Sequence, residues 1–332
     1  MPEMPKRILI IRLTALGDVL LATPLLRALR KAFPEAEIDW LVEGYLRPLL
    51  IANPHLSRAL PDSPWGHERL RQQRYDLIID LQNKLRTAWR RTVLRPRRTL
   101  VLRKRSFVRA LGSLLGSDPP ERGPGAVERN LALAAVLGIP LQGRELDLSI
   151  PPIGSIEAAP LLSKAKAPPV GLAPGGTGLT KRWPYFAELG QRLIRDGHAV
   201  LLLGGLSDAA VLDSVAASLG AGCLGDTRML SVAGLAAAIA GCSAIVSNDS
   251  GPAHIAAAVG TPVVVLFGPT SPERWTPPGK LVTSLSLGLV CSPCSNHGGE
   301  RCPLGTHACM KDLSVDQVLR TLARCWTRTQ PS

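Results

Sequence analysis

Apolar residues recur along this chain in two rhythms. Short unbroken runs, bounded by glycine or polar punctuation, alternate with longer stretches in which apolar residues return every three or four positions. The runs at 7–12, 38–42 and 75–81 predict strands buried on both faces, with a shorter strand at 100–102. The longer period predicts helices over 18–33, stopped by Pro34, over 83–93, and over 128–137, closed by Gly138. The same grammar restarts at 170–173 and continues through a helix over 184–196, a strand at 199–203, helices over 208–219 and 230–240, and a strand at 244–247. Between the two series lies 151–169, with prolines clustered at both ends and weak periodicity between them.

Strands that alternate with helices predict a parallel sheet covered by helices on both faces. The reading is therefore two Rossmann-like α/β domains with a central cleft: 1–155, a linker at 156–169, and 170–332 with a C-terminal helix. Ser314-Val-Asp-Gln317 supplies a capping box for that last helix, which runs to about residue 326. A length of 332 residues suits two cores better than one.

The segment 247–270, SNDSGPAHIAAAVGTPVVVLFGPT, concentrates the chemistry. A strand ends at Ser247, cap and turn residues follow from Asn248 to Gly251, and Pro252 suits a first helical turn. Gly260 closes that helix before a second apolar strand at 263–267. An acid (Asp249), a hydroxyl (Ser250) and the bare amide of Gly251 thus sit at a helix N-terminus beyond a strand's carboxyl end, where open α/β sheets bind phosphates. His254 falls one turn further on. An ordinary βαβ unit with a well-made cap is the alternative reading.

A second glycine loop, 173–184, carries Thr177 and Lys181 just before a helix. A hydroxyl, a cation and a backbone that can approach closely are suited to neutralising a diphosphate without metal. No Asp-x-Asp pair is present to hold a metal–diphosphate, and no P-loop occurs. A literal GxGxxG at 220–225 follows a predicted helix rather than a strand, so it is discounted. Asp18 follows Gly17 beyond the first strand. It reads either as a helix-start acid or as a lone carboxylate able to take a proton from a substrate hydroxyl.

Charge adds one feature. The net charge of +13 is concentrated between Lys84 and Arg109, an interval that includes Arg86 and Arg90 and contains no acid. Such a field attracts phosphates of lipid headgroups or anionic sugars. Nucleic acid is disfavoured, because the aromatic interleaving that stacks bases is missing. Cys291, Cys294, Cys302 and Cys309 match zinc-ribbon spacing only loosely, and free thiols in a compact loop are expected. No secretory signal or membrane span is read, so the cytoplasm is the default compartment.

In order along the chain, 12–24 (RLTALGDVLLATP), 75–82 (YDLIIDLQ), Pro174-Gly-Gly with Thr180-Lys181-Arg182-Trp183-Pro184, Asn248–His254 with Gly268-Pro269-Thr270, and the 291–310 tail resemble the blocks of glycosyltransferase family 9, the ADP-heptose:lipopolysaccharide heptosyltransferases. The tail is similar to the heptosyltransferase II branch. The resemblance implies a GT-B fold with the acceptor on the N-terminal domain and the nucleotide-sugar on the C-terminal domain. It implies inverting transfer of heptose from ADP-heptose to a Kdo- or heptose-bearing lipid A core, with no cofactor. Asp18 is the implied base, and Thr14, Gly17, Arg86 and Arg90 are acceptor-side candidates. Thr177, Lys181, Asp208, Asp249, Ser250, Gly251 and His254 are donor-side candidates. An anionic lipid acceptor implies peripheral association with the cytoplasmic face of the inner membrane. A family 9 transferase using another nucleotide-sugar, and a non-catalytic nucleotide-sugar-binding module, remain as alternatives.

Overall fold

The computed structural model describes residues 4–102, 123–141 and 143–327. They form two compact units: among the described residues the first takes those within 4–102 and 124–151, and the second takes 152–327 together with Gly123.

In the first unit, β1 (Arg7–Ile11), β2 (Glu37–Val42), β3 (Arg58–Pro61), β4 (Leu77–Asp80) and β5 (Arg98–Val101) form a parallel sheet in the order β3-β2-β1-β4-β5. The chain steps outward from β1 in one direction and then returns to its other side, so the order reverses between β1 and β4. Such a switch point leaves a crevice at the carboxyl ends of the two central strands. Leu9, Ile11, Leu41, Leu60 and Ile78 form a fully buried cluster on one face, as the unbroken apolar runs require.

The helix expected over 18–33 is two helices, Leu16–Leu20 and Thr23–Ala32. Pro24 has no N–H to continue the ladder, and the Thr23 hydroxyl donates to the Leu20 carbonyl at 2.7 Å instead. β3 and the helix Pro64–Arg71, which Ser63 caps by accepting the Gly66 N–H, are too short and polar to stand out as periodic sequence.

In the second unit, β6 (Val170–Ala173), β7 (Val200–Leu202), β8 (Cys223–Asp226), β9 (Ala244–Asn248), β10 (Val263–Leu266) and β11 (Val282–Leu285) form a parallel sheet in the order β11-β10-β9-β6-β7-β8. Its switch point lies between β6 and β9. The discounted glycine motif at 220–225 starts as a short turn after the helix Ala209–Leu219 and ends inside β8, so no helix opens on its last glycine. The C-terminal helix Val315–Thr327 buries Val318, Leu322 and Cys325 in the core of this unit. Its start is the expected capping box, since Ser314 N–H donates to Gln317 Oε1 at 2.9 Å and Gln317 N–H donates to Ser314 Oγ at 3.3 Å.

The expected linker at 156–169 needs correction in its first half. Residues Pro152–Leu162 form a helix of the second unit that packs on the helix Val232–Ala240. Glu157 accepts the Ser231 N–H at 2.9 Å, and a Cβ on Gly154 would lie 2.5 Å from the Ala233 carbonyl oxygen. Its proline-flanked, weakly periodic sequence hid a helix that only close backbone packing makes worth forming. The domain division accordingly precedes this helix.

Candidate active site

In the first unit the loop after β1 is held by the end of β4, across the switch point. Asp80, the fully buried end of β4, accepts the N–H groups of Gln82 (2.9 Å) and Asn83 (2.8 Å). Gln82 is thereby aimed back at the β1 loop, where its Oε1 accepts from Leu13 N–H at 3.2 Å and Thr14 N–H at 3.4 Å. Arg12 is 6% exposed, donates to the Leu81 carbonyl at 2.6 Å and is ion-paired with Asp18. Asp18 also accepts from Ala15 N–H at 3.5 Å, as a carboxylate in a helix's first turn does. Its side chain keeps 26% exposure, so the carboxylate is oriented by a buried guanidinium and still open to solvent. Thr14, Gly17 and Asp18 are brought together here. Arg12 and Gln82 lay inside the recognised blocks with no role assigned. The signal for both was a polar side chain at the carboxyl end of a buried strand.

Arg86 and Arg90 stand differently. The interval after Lys84 contains no acid, but strand pairing brings acids in from elsewhere. Asp62, at the end of β3 and with its side chain fully buried, pairs with both Arg86 and Arg90, and Arg86 also reaches Glu43 at 3.1 Å. Arg91 pairs with Asp80 at 2.5 Å and Arg97 with Asp76 at 3.6 Å. Burial and the neighbouring Arg86 push the Arg90 guanidinium below its ordinary range, against an opposing pull from Glu43. Arg90 is therefore a buried partner of Asp62, whereas Arg86 keeps 52% of its side chain exposed. The uncompensated cationic field read from the sequence is in part an ion-pair network.

In the second unit the loops after β6 and β9 meet across the other switch point. Asn248 is fully buried, donates to the carbonyls of Pro174 (2.9 Å) and Gly175 (3.0 Å), and accepts the Trp183 N–H at 3.1 Å. It therefore shapes the glycine loop from within. Lys181 and Asp249 form a buried ion pair at 3.0 Å, and Thr270 donates to the same carboxylate at 2.8 Å. Asp208 ties the loops after β6 and β7, accepting Gly176 N–H at 3.2 Å and Gly205 N–H at 3.1 Å. Gly175 has no room for a side chain, since a Cβ would sit 2.3 Å from the Asp208 carboxylate.

Ser250 takes the N-cap position of the helix Gly251–Val259, which Gly260 closes at φ 78°. Its hydroxyl lies 3.3 Å from that of Ser247 and caps no amide. His254 is buried one turn into this helix, and Thr177 is exposed on the glycine loop.

The cysteine-rich tail braces this loop, a role sequence reading had not assigned. Thr180 donates its N–H and hydroxyl to the Gly299 carbonyl, both at 2.9 Å, and accepts the Gly299 N–H at 2.8 Å. The His307 ring lies 2.7 Å from the Thr180 carbonyl. The four tail cysteines are free thiols. Burial pushes the Cys309 thiol up to about 11. For Cys302, burial is outweighed by donors from His307, Leu304, Gly305 and Thr306, and its thiol is held below the ordinary range.

Removing the Asn248 side chain orphans two carbonyls and one N–H in a fully buried site. Asn248→Ala is expected to cost about 2–3 kcal/mol, measured as a lowered midpoint of thermal unfolding. An unchanged midpoint would show that water replaces the amide.

A sequence model of glycosyltransferase family 9 (heptosyltransferase) matches residues 67–302. Lipopolysaccharide heptosyltransferase 1 of Pseudomonas aeruginosa is 30% identical over 98% of this chain and 95% of that protein. Lipopolysaccharide heptosyltransferase 2 of Escherichia coli is 33% identical over 82% of this chain and 85% of that protein. The solved structure of the Escherichia coli ADP-heptose LPS heptosyltransferase II superposes with a TM-score of 0.77 at 27% identity, covering 97% of this chain and 99% of that one. Two parallel α/β units of this kind are the GT-B architecture, and the chain belongs to glycosyltransferase family 9, the heptosyltransferase family.

Proposed function

We propose that this glycosyltransferase moves heptose from ADP-heptose onto the Kdo- or heptose-bearing inner core of a lipid A-linked acceptor, with inversion at the transferred carbon. The observation that carries the reading is the pair of organised polar clusters at the two switch points, Arg12–Asp18 in one unit and Lys181–Asp249 in the other. Inversion by single displacement needs one base on the acceptor hydroxyl and no second carboxylate as covalent nucleophile. Asp18 is that base in this reading, with Arg12 as its positioning residue and Thr14 and Gly17 framing the acceptor.

The departing ADP carries the developing charge. Lys181, Thr177 and the helix start at Ser250-Gly251 supply a cation, a hydroxyl and amides to it, which is the chemistry a diphosphate leaving group requires. Asp249 holds Lys181 in place, and His254 is assigned to the donor sugar and phosphates. Asp208 shapes the glycine loop beside the nucleotide. On the acceptor side Arg86 is the exposed cation, with Arg90 supporting it through Asp62. The lipid acceptor implies work at a membrane surface, and no helix among the described residues is long and apolar enough to cross a membrane.

The test is ADP release from ADP-heptose by the pure protein, with and without a Kdo-bearing lipid acceptor. Release that depends on the acceptor supports the reading. Acceptor-dependent release from a UDP- or GDP-sugar in place of ADP-heptose overturns the donor assignment.

A further inference from the structure

The helix Leu85–Leu94 presents an apolar stripe to solvent. Leu85, Trp89 and Val93 stand four residues apart, on one side of the helix, and are 92, 60 and 41% exposed. On the other side Thr87 and Arg90 are buried. The ion pairs of Arg86 and Arg90 with Asp62 fix the helix's rotation, so the stripe is held outward. An exposed tryptophan and leucine on a firmly anchored helix cost solubility unless something covers them.

The surrounding charge says what covers them. The helix carries no acid, and Lys84 at its N-cap and Arg95 at its C-cap are exposed and make no ion pair with a described residue. Arg98, just beyond, is exposed and gives its guanidinium to a backbone carbonyl. Three separated apolar side chains between cationic ends match the boundary between headgroups and acyl chains of an anionic bilayer. Tryptophan favours that boundary because its ring is apolar and its N–H polar. At ten residues, about 15 Å, the helix can lie in the interface plane and cannot span it.

We propose that this helix docks the protein on an anionic bilayer, with Leu85, Trp89 and Val93 inserted below the headgroups and Lys84 and Arg95 against lipid phosphates. The inference rests on the reading of a lipid-linked acceptor and assigns the surface that meets the lipid.

The test is sedimentation of the full chain with vesicles containing phosphatidylglycerol, and with vesicles of phosphatidylcholine alone. Binding is expected to the first and to be at least about tenfold weaker in a Leu85→Ser, Trp89→Ser, Val93→Ser variant, since the driving force scales with the apolar area inserted. All three positions are exposed, and unchanged thermal unfolding checks the fold. Quenching of tryptophan emission by brominated lipid that disappears in Trp89→Phe locates the insertion independently of the triple variant.

The variant is expected to transfer sugar normally to an acceptor stripped of its acyl chains and poorly to one embedded in vesicles. Equal vesicle binding by variant and wild type overturns the proposal, as does equal wild-type binding to both vesicle types. A concentration-dependent dimer abolished by the three substitutions, without vesicle binding, assigns the stripe to a second copy and also overturns it. Vesicle binding that depends on the stripe, in a protein that transfers no heptose to any acceptor, upholds docking and removes the transfer reading.

Discussion

Asp18→Asn is expected to lower kcat by roughly a thousandfold, within the span a positioned general base contributes, while ADP-heptose affinity changes by no more than about a factor of two. The amide keeps the shape of the carboxylate and can still accept the Ala15 N–H, but it cannot take a proton from the acceptor hydroxyl. Stability needs a parallel measurement, because Arg12 is buried and would lose its ion partner. Thermal unfolding and donor titration together separate lost chemistry from lost structure. Unchanged kcat in a folded Asp18→Asn protein removes the base assignment. Arg12→Lys is expected to lower kcat more than it alters KM, because a lysine cannot both donate to the Leu81 carbonyl and hold the carboxylate in the same geometry.

Lys181→Met carries the second large effect, and it has two parts. Removing one member of a buried ion pair leaves the Asp249 carboxylate with the Thr270 hydroxyl as its one partner among the described residues and is expected to cost about 3 kcal/mol of stability. Removing the cation from the proposed diphosphate site is expected to lower kcat/KM by a further factor of about 100 to 1,000. The double variant Lys181→Met with Asp249→Asn separates the two. With both charges gone the unfolding midpoint should largely recover, while turnover stays low because the departing ADP has lost its cation. Recovery of turnover in the double variant would make Lys181 a structural residue only.

Legibility of the site tracked the distance over which each interaction acts. The first-turn position of Asp18, the cap of the last helix and the left-handed Gly260 closing the helix after Ser250 are settled within a few residues, and each was readable from its neighbours. The helix Pro152–Leu162 was not, because its small and proline-containing sequence lacks periodicity and it exists through packing on Val232–Ala240. Nor were the short edge strands β3, β8 and β11, where pairing with a neighbour decides the conformation more than the residues do.

From its sequence alone this chain determines the alternation of strand and helix, the place of the C-terminal capping box, and the polar residues that follow the buried strands, because side-chain period and turn chemistry are local. Tertiary structure alone decided which charges are available. Strand order carries Asp62 to Arg86 and Arg90 and sets Lys181 on Asp249, 68 positions away. The folded tail likewise brings Gly299 and His307 to Thr180. Spacing in a sequence does not encode such meetings; the parallel sheet makes them, by drawing the carboxyl ends of distant strands to one edge.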